Sequence, residues 1–118
     1  IAALCPQCDI YSGNDDHVLP VLSIGGKGVI STIANIVPGE MHALCEAFFK
    51  GDLQLARQLQ LQLIPIWKAA FCEVNPIPLK AMINLMQLCE PDVRLPLIPP
   101  SAANMRLIEE TLKSYELI

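Results

Sequence analysis

The sequence predicts an α/β chain that is mostly helical, with two short parallel strands near its start. Three observations carry this. Two apolar, β-leaning runs flank a helical stretch in the first third. Four later segments repeat apolar residues at helical spacing. Of the 118 residues, 53% are hydrophobic and 17% charged, with a mean hydropathy of +0.42. Such a chain forms a core. Its hydropathy is high for the size, because a small domain has proportionally more surface to cover with polar groups. Part of its apolar surface is therefore expected to meet something else, or the chain belongs to a larger body.

The elements follow in order. Asp9-Ile10-Tyr11 is a β-leaning run that ends in the turn and cap cluster Ser12-Gly13-Asn14-Asp15. A short helix is expected from Asp16 to Ile24, with Asp15 and Asp16 suited to its positive N-terminal end. Gly25-Gly26 stops it, and Gly28-Val29-Ile30-Ser31-Thr32 is the second, buried strand. Two apolar strands joined by a helical crossover make a parallel unit, which needs cover on both faces. Pro38 and Gly39 then precede a helix with Met41, Leu44, Cys45 and Phe48 on one face, ended by Gly51. Asp52 caps a longer helix with Leu53, Ala56, Leu59, Leu63 and Trp67 at core spacing, which Pro65 bends rather than ends. Asn75-Pro76-Ile77-Pro78 breaks the chain and starts a helix with the face Leu79, Met82, Met86 and Cys89. Arg94 to Pro100 is an extended, proline-rich strap, and Ser101 caps a final helix through Met105, Ile108, Leu112 and Tyr115. Two parallel strands cannot stand as an independent sheet. The chain thus has the look of the back end of an α/β domain, and its first residue, Ile1, predicts a processed product or a piece of a longer chain.

Charge and cysteines narrow the function. Eight Lys+Arg against twelve Asp+Glu leave a net charge of -4. The cations are scattered singly and aromatics make up only 5%, so no nucleic-acid surface is expected. No apolar run reaches the roughly 20 residues of a membrane span, and no signal peptide is visible at the start. Five cysteines, an odd number, predict reduced thiols in a cytoplasmic protein. Cys5-Pro6-Gln7-Cys8 has C-x-x-C spacing, but no second pair follows and neither His17 nor His42 completes a ligand pattern, so the two are expected as incidental loop thiols. Lys27 is expected to be solvated in its glycine-rich turn and Lys80 to pair with a carboxylate. Both histidines are expected at helix surfaces or ends without partners.

Four segments, in order and in register, resemble the dihydrodipicolinate synthase family. They are Tyr11-Ser12-Gly13-Asn14-Asp15-Asp16, Gly28-Val29-Ile30-Ser31 with Ala34-Asn35, Phe71-Cys72-Glu73-Val74-Asn75-Pro76-Ile77-Pro78-Leu79-Lys80, and Arg94-Leu95-Pro96-Leu97. Asn-Pro-Ile-Pro-x-Lys favours this family over its relative N-acetylneuraminate lyase. The resemblance covers nearly the whole chain and matches the family's C-terminal part. It implies a C-terminal fragment of a (β/α)8 TIM barrel, strands seven and eight with their helices over residues 1–50, plus a C-terminal helical domain over 51–118.

The chemistry implied is that of a lyase of lysine and diaminopimelate biosynthesis. Pyruvate forms a Schiff base with a lysine on strand six, becomes an enamine and attacks aspartate semialdehyde to give 4-hydroxy-tetrahydrodipicolinate. Such a lysine must offer a neutral amine. The resemblance places that lysine, a proton-relay tyrosine and the lysine-feedback site of some members upstream of Ile1. It therefore implies no catalytic residue in this chain and no activity from it alone. No metal or organic cofactor is expected, since the lysine amine is the electron sink. Substrate-binding positions carry over to Ile30, Gly13, Asn14 and Asp15, at the C-terminal ends of the strands. Ile30 alone would be read as a core residue, and Asp15 equally as a helix cap. Asn14 replaces the acidic residue often found there. A homo-oligomer is expected. The alternative is a non-catalytic, oligomerising helical module.

Overall fold

The structure, a computed structural model, describes residues 1–118. It divides into two compact units, Ile1–Ile64 and Pro65–Ile118. No helix is long and apolar enough to cross a membrane.

The first unit is built on the expected parallel strand pair. β1 (Tyr11–Ser12) and β2 (Gly28–Val29) pair in parallel with Tyr11 opposite Gly28 and Ser12 opposite Val29. Lys27 N donates to Ile10 O at 2.7 Å and Ile30 N to Ser12 O at 2.9 Å. Both strands are shorter than the runs Asp9–Tyr11 and Gly28–Thr32 suggest. Thr32 has already turned helical (φ -77°, ψ -47°) ahead of a 3-10 turn at Ile33–Asn35. The crossover also differs from one helix over Asp16–Ile24. A 3-10 turn at Asp15–His17 leads into α1 (Val18–Ser23). Pro20 has no N–H to bond the Asp16 carbonyl, which favours the tighter turn before it.

α2 (Pro38–Phe49) buries Met41, Leu44 and Ala47, while Cys45 and Phe48 are half-buried. α1 packs on α2 and on both strands, covering one face of the pair. α3 (Leu53–Ala70) is capped as expected, Leu55 N donating to Asp52 Oδ1 at 3.0 Å, and it continues through Pro65. Its buried stripe is Ala56, Gln60, Leu63 and Ile66. Leu53, expected in the core, is 59% exposed and Leu59 only half-buried. The stripe is rotated toward Gln60, whose amide finds internal partners described below.

Ahead of β1, the expectation of two incidental thiols is corrected. Cys5 and Cys8 are joined as a disulfide. A turn in which Cys8 N donates to Cys5 O at 3.0 Å sets their Cα atoms 5.6 Å apart, within reach of a bridge. Cys45, Cys72 and Cys89 are free thiols. Burial pushes the Cys45 thiol up.

In the second unit α4 (Ile77–Leu85) packs on α5 (Ala102–Ser114). α4 buries Ile77, Pro78, Ala81 and Met82. The expected face is therefore only partly right: Met86 is the C-cap and Cys89 lies beyond the helix. There Asn84 Nδ2 donates to the Cys89 carbonyl at 3.0 Å, turning the chain back. The segment Arg94–Pro100 is an irregular strap with one turn, as expected. Ser101 caps α5, its hydroxyl accepting from Asn104 N at 3.3 Å, and Ile108 and Leu112 are fully buried. Glu73 reinforces that cap: its Oε1 accepts from Ser101 N at 2.9 Å and from Asn104 Nδ2 at 2.6 Å. The Asn104 and Ser101 hydrogen bonds hold the Glu73 carboxyl below its ordinary range. Burial, and next the charge of Glu73, push the Cys72 thiol up.

Four helices end by the same device. α1 stops with Gly25 N donating to Leu22 O at 3.0 Å and Gly26 N to Val21 O at 2.9 Å, and α2 with Gly51 N to Phe48 O at 3.0 Å and Asp52 N to Ala47 O at 2.9 Å. These crossed bonds recover carbonyls that would otherwise lack donors, and need a left-handed residue that glycine adopts freely. At α4 and α5 the same pattern falls on Gln87 (φ 60°) and Glu116 (φ 56°), where a side chain is strained. Gln87 is exposed. Gln87→Gly should therefore raise stability by about 0.5–1 kcal/mol in urea unfolding; a loss would contradict the cap.

The lowered Glu73 pKa gives a second expectation. Its stabilisation is full above the ordinary glutamate value, about 4.3, and is lost as pH falls through the lower folded value. The thermal midpoint gap between the unsubstituted chain and Glu73→Gln should be largest near neutrality and shrink in acid. The same variant should speed alkylation of Cys72, since one cause raising its pKa is gone. A gap that widens in acid would contradict the contact.

Candidate functional site

The C-terminal ends of β1 and β2 gather the residues singled out from the sequence. The Ile30 amide donates across to Ser12 O, which brings Ile30 beside Gly13 and Asn14. Ile30 is 73% exposed, so its side chain is no part of a core here. Gly13 is exposed, and a Cβ on it would meet nothing within 4 Å. The Ser12 side chain, 3% exposed, shapes the turn by donating to Asn14 O at 2.7 Å and accepting from Asn14 N at 3.3 Å. Asn14 Nδ2 lies 3.5 Å from His17 Nδ1, and Asp16 Oδ1 3.2 Å from the same nitrogen. His17 thus has polar neighbours, against the expectation that it stands alone.

Asp15 sits underneath, 2% exposed. Its N-terminal position does not make it a cap; the cap position is Asn14, whose side chain makes no capping bond. The Asp15 carboxylate instead accepts from the Ser31 hydroxyl on Oδ1 and from Thr32 N, at 3.2 Å, on Oδ2. No lysine or arginine stands within ion-pair distance. Ser31 Oγ also accepts from Ala34 N at 2.9 Å, which starts the 3-10 turn. Behind Asp15, Gln60 of α3 uses both ends of its amide: Nε2 donates to Asp15 O at 3.1 Å and Oε1 accepts from Leu19 N at 3.0 Å. Buried polar groups need such partners, and here backbone and side chains of three elements supply them.

Ser31 and Gln60 are the residues that sequence reasoning left without a role. The signal for Gln60 was its place between Ala56 and Leu63 on a helical stripe that is otherwise apolar. Ser31 carried no signal of its own, because its bond to Asp15 joins residues 16 apart in the chain.

The lysines fall elsewhere. Lys27 is exposed and precedes β2, at the opposite end of the strands from Ile30. Lys80 lies on α4 in the second unit and pairs with no carboxylate, contrary to expectation. Beside β2, a cleft of about 330 Å³ is lined by Tyr11, Ser31, Ala34, Met41 and Cys45 among others, with no lysine. No group of three His, Cys, Asp or Glu gathers for a metal ion.

Two parallel strands joined by a helical crossover, with Gly13 and Asn14 exposed just after β1, match a closing segment of the (β/α)8 barrel. The chain belongs to the dihydrodipicolinate synthetase family, whose model matches residues 2–115. It is similar to the 4-hydroxy-tetrahydrodipicolinate synthase of Caldicellulosiruptor bescii, 50% identical over 115 residues, or 98% of this chain and 39% of the relative. The enzyme of that name from Acetivibrio thermocellus is 46% identical over 119 residues, all of this chain and 41% of the relative. Among solved structures, Thermotoga maritima dihydrodipicolinate synthase matches with a TM-score of 0.91 at 43% identity, over 93% of this chain and 37% of its own. A monomeric dihydrodipicolinate synthase variant matches at 0.93 and 40% identity, over 99% and 39%. The chain thus spans about two fifths of the length of these relatives.

Proposed function

We propose that this chain is the C-terminal portion of a pyruvate-dependent 4-hydroxy-tetrahydrodipicolinate synthase, a cytoplasmic lyase of lysine and diaminopimelate biosynthesis. Residues 1–50 close the barrel and 51–118 form the C-terminal helical domain. The observation that carries the reading is the family match over residues 2–115 together with relatives of that name at 46–50% identity.

In this reading a barrel lysine outside the chain attacks the pyruvate ketone and expels water to give the Schiff base. Loss of a methyl proton gives the enamine, whose carbon bonds to the aldehyde of aspartate semialdehyde. The present residues build the wall of that site. Ile30 borders pyruvate, Gly13 lets the main chain approach, and Asn14 faces the second substrate with an amide in place of a charge. Asp15 acts at the site through the main chain it holds. The lysines are spread along the chain and none lines the cleft beside β2, which supports a nucleophile from elsewhere, and the chain alone is inactive.

A second feature favours assembly with another copy. Leu53, Leu55 and Leu61 of α3 are 59%, 42% and 64% exposed.

A graft tests the reading. Replacing the matched segment of the Caldicellulosiruptor bescii enzyme with this chain should retain condensation of pyruvate with aspartate semialdehyde, within about tenfold of the parent, or 1.4 kcal/mol in barrier. A folded graft that turns over no pyruvate would overturn it.

A further inference from the structure

We propose that Asp15 is a positioning residue: its buried carboxylate holds the main chain just after Ile30, and Gln60 locks Asp15 from behind. The consequence for turnover rests on the synthase reading above, whereas the hold on the backbone does not.

A carboxylate that is 2% exposed and has no cation beside it is expensive to bury. It persists only where fixed donors replace water, and here those donors are the Ser31 hydroxyl and the Thr32 amide. Hydrogen bonds to an ionised acceptor are the stronger ones. Both donors belong to the two residues that follow Ile30, where the chain leaves β2 and turns into the 3-10 segment. Strand pairing controls the other side of Ile30 through its amide and Ser12 O. Ile30 is thereby held from both sides, although its own side chain is 73% exposed and unsupported by packing.

Gln60 completes the device. Its amide bonds the Asp15 carbonyl and the Leu19 amide, fixing the segment that carries the carboxylate. A change on α3 is therefore transmitted to the strand end through the Gln60–Asp15 bond and the two bonds of the Asp15 carboxylate. Neither Gln60 nor Asp15 has to touch substrate for this.

The test uses Asp15→Ala, Asp15→Asn and Ser31→Ala. In the chain itself, amide exchange at Thr32 should rise at least tenfold in Asp15→Ala and be partly restored in Asp15→Asn, which keeps an acceptor. Ser31→Ala, which removes one donor only, should shift it less. Exchange at Thr32 unchanged from the unsubstituted chain would overturn the hold. In the active graft, Asp15→Ala should raise KM for pyruvate about tenfold with a smaller change in kcat. A fall in kcat that follows only the folded fraction, with KM unmoved, would overturn the positioning role. An unsubstituted graft without turnover overturns the synthase reading instead, and the Thr32 exchange then decides the role of Asp15 by itself.

Discussion

A parallel pair of two-residue strands is the constraint on which the first unit depends. Parallel pairing requires a crossover connection, and the faces of the pair require cover. The chain meets the first demand with the 3-10 turn and α1, and contributes to the second by packing α1 on both strands and on α2. Glycine at the end of α1 is part of the same solution. A Cβ on Gly26 would stand 2.6 Å from the Val21 carbonyl oxygen, so the return into β2 is only possible with glycine or a shifted backbone.

The same constraint explains where the polar residues lie. Strand pairing stops after Ile30, and the backbone groups beyond it must find other partners. Asp15 accepts from Thr32 N and Ser31 from Ala34 N, while Gln60 bonds the Asp15 carbonyl from α3, so a polar network holds the chain that follows the exposed Ile30. A rigid support under an open surface is what substrate positioning needs, since small misplacements of binding groups are costly in rate. The second unit has its own capping network, with Glu73 and Ser101 sharing the N-terminus of α5.

Much of this was legible from local chemistry. The turn from Ser12 to Asn14, the Gly51 stop, the Asp52 cap and the Ser101 cap each act within a few residues, and each falls where the sequence placed it. Faces were harder. Leu53 and Leu59 looked like core and Gln60 did not, because hydropathy cannot register that Gln60 has two backbone partners waiting 41 and 45 residues away. Met86 and Cys89 were misplaced because nothing in Gln87 announces a left-handed residue that ends α4. The Cys5–Cys8 pairing was within reach of the spacing, but counting an odd total of cysteines argued against it. The family was legible from four motifs in register, whereas the contact between Asp15 and Ser31 needed the fold.

The central claim is that this chain supplies a wall of the site and not its nucleophile. Incubation with pyruvate and borohydride, followed by an intact mass, tests it most directly, because reduction traps any Schiff base as a stable adduct. The account predicts the unmodified mass of the 118-residue chain. A reduced pyruvate adduct on Lys27, Lys80 or another lysine of the chain would contradict it.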